Sequence, residues 1–386
     1  MDFRLSEEQK LIRDVARQFA TEVCLPEADS LDRDHCFPAE TWEKIAETGL
    51  IAVNHEEQYG GTGKDKVAEV LITEELSKAS LTHGAAYSLL GHGFSSFIAK
   101  YGTKEQKDKY IPRVINDGYI GAFCLSETCA GSDAMSIRTF AVRDGDEFVL
   151  SGNKCFITAG NIAKSHIIVA KDPALGERAF TGFIIDDAFS KPGFSCGKIE
   201  KKMGICGLPT VEICLDNVRV PASSVLGGKA GEGKMMHYAL GTLDGARIGT
   251  GAQALGVMEA AYELALDYSS KRIQFGKPLN ANQGIKWYLA EMASKIEMAR
   301  YLIYHAAWLE TQGKPHSKEA AMAKLYSTRF AREVVNDALQ IHGGSGFMCD
   351  LPLERMYRDI KVTEIYEGSS EIMKLVIANS ILSSKH

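Results

Sequence analysis

Gly121-Ala122-Phe123-Cys124-Leu125-Ser126-Glu127-Thr128-Cys129-Ala130-Gly131-Ser132-Asp133 is the stretch at which the chain changes its periodicity. Before it, apolar residues recur at helical spacing; after it, short runs rich in Phe, Ile, Val and Thr alternate with turn residues. On the near side Leu11, Ile12, Val15, Ala16 and Phe19 follow a capping box of Ser6 and Gln9, which predicts a helix from 6 to about 23. Helices are also predicted at about 38–48, 65–79, 84–100 and 103–116, so residues 1–120 read as an all-α unit.

On the far side, runs at 139–142 and 148–150 flank the turn Asp144-Gly145-Asp146, and runs at 167–170, 180–185 and 211–215 continue the pattern. Residues 121–230 therefore read as an antiparallel β domain. The helical period then returns at about 234–268, 282–311, 317–341 and 369–382, predicting a four-helix bundle over 231–386. The segment 234–268 carries Ala, Gly and Leu on nearly every face, which predicts contact on more than one side and subunit association through the bundle. The fold class is α+β, in the order α, β, α.

Composition narrows the function. The 386 residues exceed the size at which one core usually keeps growing, and 45% hydrophobic with 24% charged residues argues against disorder. With 44 basic against 50 acidic residues, a net charge of −6 and no basic run longer than Lys198, Lys201 and Lys202, neither nucleic acid nor a polybasic membrane contact is expected. No window of about 18 apolar residues predicts a membrane span. The start Met1-Asp2-Phe3-Arg4-Leu5-Ser6-Glu7-Glu8 shows no targeting pattern, so a cytoplasmic location is expected, or the mitochondrial matrix for a processed eukaryotic protein. Nine cysteines without any C-x-x-C, and no H-E-x-x-H, give a metal no local support and read as reduced thiols. Gly228-Lys229-Ala230-Gly231-Glu232-Gly233-Lys234 imitates a phosphate loop, but Met235 stands where Ser or Thr is needed; it reads as a flexible link between domains.

Four separated segments, in their order and spacing, resemble the acyl-CoA dehydrogenase family along the whole chain, most nearly its short-chain, butyryl-CoA type. They are 123–133, within the stretch quoted above; Gly152-Asn153-Lys154-Cys155-Phe156-Ile157-Thr158; Arg272-Ile273-Gln274-Phe275-Gly276; and Ile365-Tyr366-Glu367-Gly368-Ser369-Ser370. Read by themselves, these segments have plainer meanings: a hydroxyl-rich turn, a core aromatic, a helix-end cation and a helix-terminal acid. The resemblance implies FAD as cofactor, an acyl-CoA thioester as substrate, electron-transfer flavoprotein as acceptor and a homotetramer built as a dimer of dimers.

It also implies roles. Phe123, Leu125, Ser126, Phe156 and Thr158 would meet the flavin, with Ser132 where flavin and acyl-CoA come together. Arg272 would reach the FAD pyrophosphate of a neighbouring subunit; Gln340, Gly343 and Gly344 would meet the same pyrophosphate; Gln283 would lie on the adenosine side. Phe275, Ser369 and Glu371 complete the implied cofactor set. Asp244, Arg247 and Gly368 would face the substrate. Glu367 would be the catalytic base, since Ala246, the other position used in the family, cannot accept a proton. The implied reaction gives a trans-2-enoyl-CoA, its thioester oxygen bonded by the Glu367 backbone N–H and a ribityl hydroxyl of FAD. Alternatives are an enoyl-CoA reductase of an anaerobe, an oxidase using oxygen, or a non-catalytic member. Three departures stand out. Thr128 and Cys129 replace Pro and Gly, putting a Cβ where a positive φ is expected; Cys206 replaces Arg; and Tyr87 and His92 lie near the expected channel base, where they either shorten the cavity, pair with a polar or aryl acyl group, or simply pack.

Overall fold

The computed structural model describes residues 4–383; Met1 to Phe3 of the acidic start and 384–386 of the last predicted unit lie outside them. Helix α1 (Glu7–Phe19) begins at the predicted capping box: the Gln9 N–H donates to Ser6 Oγ at 3.1 Å and the Ser6 N–H to Gln9 Oε1 at 3.0 Å. It does not stop near 23. A π turn, Ala20–Cys24, leads into α2 (Leu25–Asp34), whose Pro26 sits in the first turn, where a missing N–H is tolerated. Helices α3 (Ala39–Glu47), α4 (Lys66–Ala79), α5 (Leu81–Ala86), α6 (Gly93–Tyr101) and α7 (Lys104–Asp117) follow. The helix predicted at 84–100 is two pieces parted by a second π turn, Tyr87–Gly91.

The strands β1 (Gly121–Cys124), β2 (Phe140–Asp144), β3 (Glu147–Thr158), β4 (Ser165–Lys171), β5 (Phe180–Asp186), β6 (Phe194–Ile199) and β7 (Thr210–Pro221) form one seven-stranded sheet ordered β1-β4-β2-β3-β7-β6, with β5 on β4. The β2–β3 hairpin closes with Asp144 opposite Glu147, leaving Gly145 (φ 62°) and Asp146 as its two-residue loop. The expectation of a purely antiparallel domain is corrected, because β1 runs parallel to β4, from Gly121 opposite Ser165 to Cys124 opposite Ile168. Apolar patterning reports burial, not strand direction. Direction is decided where the chain re-enters the sheet, here beside β1, with the Lys164 N–H donating to Ile120 O at 2.9 Å.

In the last unit, α8 (Met235–Lys271) leads through a small hairpin, β8 (Ile273–Gln274) and β9 (Lys277–Pro278), to α9 (Gln283–Thr311) and α10 (Ser317–His342); α11 (Leu353–Ile360), absent from the sequence reading, precedes α12 (Ser370–Ser383). Helix α8 is enclosed within the chain, by α4 on one side and by α9 and α10 on the other. Glycine permits the approach: a Cβ at Gly256 would lie 2.2 Å from Glu74 O, and one at Gly249 2.7 Å from Ser88 Oγ. The contact on more than one side expected of α8 is thus made within the chain, by α4, α9 and α10. Exposed apolar side chains of this unit lie on α8, α9 and α12, among them Leu240, Trp287, Met298, Leu375 and Leu382. The predicted flexible link is also corrected: Gly228–Gly231 forms a 3-10 turn, and the Gly233 N–H donates to Thr181 Oγ1 at 2.9 Å. Among the described residues no helix is long and apolar enough to cross a membrane, and no group of three His, Cys, Asp or Glu is placed to hold a metal ion.

Candidate active site

After α11 the chain makes a 3-10 turn, Lys361–Glu364, and reaches Tyr366-Glu367-Gly368 just before α12. Glu367 (φ 53°) and Gly368 (φ 96°) are both left-handed. Glycine adopts this freely, whereas a residue with a Cβ is disfavoured there by about 1–2 kcal/mol. Two helices hold the turn. The Tyr366 hydroxyl donates to Gln253 Oε1 on α8, and the Lys324 ammonium on α10 donates to Gly368 O. Burial pushes the Glu367 carboxyl above its ordinary pKa, while Lys324 and Arg247 pull the other way. Burial likewise lowers Lys324 to about 8 against the attraction of Glu367.

Asp244 and Arg247, one turn apart on α8, form an ion pair at 2.6 Å, and both are buried. Asp244 also accepts from the Ser317 hydroxyl. Arg247 Nε is buried without a hydrogen-bond partner among the described residues, and the Arg247 charge acts on Glu367. Ser369 and Glu371 sit at the α12 N-terminus, Glu371 exposed and Ser369 half-buried.

The second group of expected residues lies at the edge of the β sheet. Leu125 and Ser126 leave β1 and are tied to β3: the Cys155 N–H donates to Ser126 O at 2.9 Å, and Lys154 Nζ donates to Leu125 O at 3.0 Å and to Glu127 Oε1 at 2.8 Å. Glu127 also accepts from the Arg138 N–H at 2.6 Å and the Thr139 N–H at 3.0 Å. Glu127 and Ala130 exchange backbone bonds of 3.0 Å, so the turn closes with neither Thr128 nor Cys129 in the left-handed region. That corrects the expected positive φ. Phe156 does occupy that region (φ 57°), and its ring is 65% exposed, beside a bulge between Lys154 and Ile157. Thr158 is half-buried on the same strand, and Ser132 is exposed. Phe123 stacks on Phe97 at 4.4 Å, so its ring serves the core and leaves its backbone for a ligand. Next to Ser132, a pocket of about 770 Å³ is lined by Asp133, Met135, Ser136, Lys171 and Arg178, among others.

A third group stands apart from Glu367. Phe275 (φ 51°) and Gly276 (φ 76°) form the two-residue loop of the β8–β9 hairpin, and the Phe275 ring is 97% exposed. Arg272 and Gln283 are exposed beside it. Gln340, Gly343 and Gly344 end α10 at the same level, where His342 stacks on Tyr268 at 4.2 Å and its Nδ1 meets Ala338 O at 2.8 Å. Arg272 lies 25 residues beyond Arg247, about 37 Å along α8. Within one chain the structure therefore does not bring Arg272, Phe275, Gln283, Gln340, Gly343 and Gly344 to Glu367.

The remaining departures are absorbed by packing. The Tyr87 hydroxyl donates to Leu50 O at 2.9 Å, and His92 is buried, with Nδ1 3.9 Å from Glu69 and its pKa lowered to about 3 by burial. The loop around Cys206 is tied to α11: the Ile205 N–H donates to Asp359 Oδ1 at 2.5 Å and Arg358 to Met203 O at 3.1 Å. Sequence reasoning passed over Lys324, Gln253 and the Glu127–Lys154 pair. The sign of Lys324 was present, because a lone lysine interrupts the apolar stripe formed by Ala320, Ala331 and Ala338.

The chain thus has three units, with an exposed aromatic at the edge of the middle sheet and a half-buried carboxylate on a left-handed turn of the last unit. Family models for the acyl-CoA dehydrogenase N-terminal, middle and C-terminal domains match residues 6–117, 122–218 and 233–382. The chain belongs to the acyl-CoA dehydrogenase family, whose members are flavin-dependent oxidoreductases acting on CH–CH bonds. It is 47% identical to an acryloyl-CoA reductase (NADH) of Anaerotignum propionicum over 99% of this chain and 96% of that one. It is similar to the solved butyryl-CoA dehydrogenase of Megasphaera elsdenii, with 38% identity, TM-score 0.95, and coverage of 99% of this chain and 100% of that one. A chain solved in work on the electron transferring flavoprotein of Acidaminococcus fermentans and flavin-based electron bifurcation is 40% identical, with TM-score 0.93 and coverage of 99% and 100%.

Proposed function

We propose that this enzyme removes the α-proton of an acyl-CoA thioester with Glu367 and forms the trans-2-enoyl-CoA, its electrons leaving to an electron-transfer flavoprotein. The observation that carries this reading is the carboxyl of Glu367, held by anchors on α8 and α10 in a site that raises its proton affinity. An α-proton is weakly acidic, so burial that strengthens the base and excludes water serves the reaction. The Glu367 backbone N–H is the donor offered to the thioester oxygen as negative charge develops, a contribution of about 3 kcal/mol for one well-placed donor. Gly368 and Ser132 flank the thioester, and the buried Asp244–Arg247 pair orders the channel wall.

FAD fits the residues present. Phe156 offers an exposed ring at a conformation that packing alone does not require, beside the Leu125 and Ser126 backbone and the Thr158 hydroxyl. A Cβ at Gly343 or Gly344 would meet nothing, leaving open space above that backbone. Bound FAD supplies the two-electron acceptor for the β-hydride. Arg272, Phe275, Gln283, Gln340, Gly343 and Gly344 would serve the FAD of a neighbouring subunit, which accounts for their distance from Glu367 and fits a homotetramer built as a dimer of dimers. Ser369 and Glu371 complete the cofactor set from the α12 N-terminus. Lys171 and Arg178 suit the phosphates of coenzyme A in the 770 Å³ pocket. Nine free cysteines, four of them buried, suit a reducing cytoplasm.

The test is Glu367→Gln. The variant should keep a yellow flavin that substrate no longer bleaches; bleaching at the normal rate overturns the assignment. The relationship to an acryloyl-CoA reductase favours a second reading, the same site run from enoyl-CoA to acyl-CoA. Faster turnover of enoyl-CoA with reduced flavoprotein than of acyl-CoA with oxidised flavoprotein selects it.

A further inference from the structure

Lys324 lies in the buried stripe of α10, sharing a face with Ala320, Ser327 and Ala331, and is 1% exposed. A lysine in such a place must find partners or give up its proton. Its ammonium donates to Gly368 O, the carbonyl immediately after the base. The charged groups facing it are Glu367 and Glu364 from the segment before α12 and Arg247 from α8. Arg247 is already engaged by Asp244 at 2.6 Å. The left-handed pair Glu367–Gly368 has one anchor on its N-terminal side, Tyr366 on Gln253, and Lys324 is the anchor on its C-terminal side. A disfavoured backbone of this kind persists only where surrounding groups hold it from both ends.

We propose that Lys324 is the positioning residue of the base: through the Gly368 carbonyl it holds Glu367 in its left-handed geometry, and its charge beside the carboxyl keeps that group able to take a proton. This rests on the reading of Glu367 as the base, and the test separates the two. The FAD-loaded protein is given a 3-thia-acyl-CoA, which has an α-proton but no β-hydrogen, and exchange of that proton with deuterated buffer is followed by NMR across pH. Glu367→Gln should abolish exchange. Lys324→Met should move the acid limb of the profile up by about one unit or more, with about a tenfold loss at a pH below both limbs, while thioester binding stays nearly constant. Lys324→Gln, which keeps an N–H for the carbonyl and removes the charge, should shift the limb as well.

Wild-type exchange in Glu367→Gln overturns the base and this proposal with it. A silent Glu367→Gln beside a Lys324→Met protein of wild-type limb and rate overturns the proposal alone. If neither uncharged variant folds, Lys324→Arg decides. A wild-type limb with a lowered plateau is expected there, because the charge stays but the single-point bond does not; an unchanged plateau overturns the positioning role.

Discussion

Lys154→Met probes how the flavin-side loop is held, and its effect can be worked from the structure. The Lys154 ammonium is fully buried, its Glu127 partner is 5% exposed at the side chain, and the pair meets at 2.8 Å. The substitution strands a buried carboxylate and removes the donor that Leu125 O receives at 3.0 Å. Breaking one side of a buried ion pair costs about 3–5 kcal/mol. The Arg138 and Thr139 N–H groups still bond Glu127, which places the expected loss near the lower end, about 3 kcal/mol, or roughly 100-fold in the local opening equilibrium. A chain of three units need not unfold as one, so peptide-level hydrogen exchange is the suitable assay. Peptides spanning 122–139 should lose about two decades of protection at pH 7, with peptides of α9 unchanged.

The pH dependence has a definite sign. Burial pushes the Glu127 carboxyl up, but its bonds to Lys154, Thr139 and Arg138 outweigh this and hold it below its ordinary value. A depressed carboxyl contributes stability above its unfolded pKa of about 4.3 and loses it as pH falls through the folded value. The deficit of Lys154→Met should therefore be largest at neutral pH and shrink on acidification. Burial also lowers Lys154 despite Glu127, and because an unpaired buried carboxylate costs more than a neutral pair of similar volume, adding Glu127→Gln to Lys154→Met should recover much of the loss. Unchanged protection in the single variant, or a double variant worse than the single, refutes the reasoning.

Other outcomes are equally specific. Gly256→Ala should lower stability by about 1–3 kcal/mol in calorimetry, because its Cβ would press 2.2 Å from the Glu74 carbonyl oxygen where α8 meets α4. Phe156→Gly should leave the FAD-free protein as stable or up to about 1 kcal/mol more stable by relieving a left-handed phenylalanine, yet weaken flavin retention on gel filtration. Arg272→Gln and Glu367→Gln should each be inactive alone, while refolding the two chains together should restore activity, since a mixed dimer has one complete site; no recovery argues against a site shared between subunits.

Much of the fold was legible because its signals are local. The capping boxes, the 3.6-residue stripes, and the Gly145-Asp146 turn with a left-handed glycine each depend on a few neighbouring residues. Strand direction was not legible, since β1 pairs with a strand 40 residues away that enters beside it. Nor was the enclosure of α8, whose apolar faces look alike in sequence whether α4 or another subunit covers them. The candidate base was legible through its motif. Lys324, 43 residues earlier on another helix, showed as a lone lysine in an apolar stripe, but its partner did not, because that contact is with a backbone carbonyl that carries no sequence signature.

The sequence by itself determined the order α, β, α, the kinds of residue at each expected position, and, through four motifs, the family. Only the tertiary structure decided which of those residues share a site. It gathered Glu367, Lys324 and Arg247 from three elements, left Arg272 and Phe275 at the far end of α8, and set Cys129 in an ordinary turn. The physical reason is that periodicity encodes which face of an element is buried, whereas distance between elements and the ionisation of a buried carboxyl depend on what packs against that face.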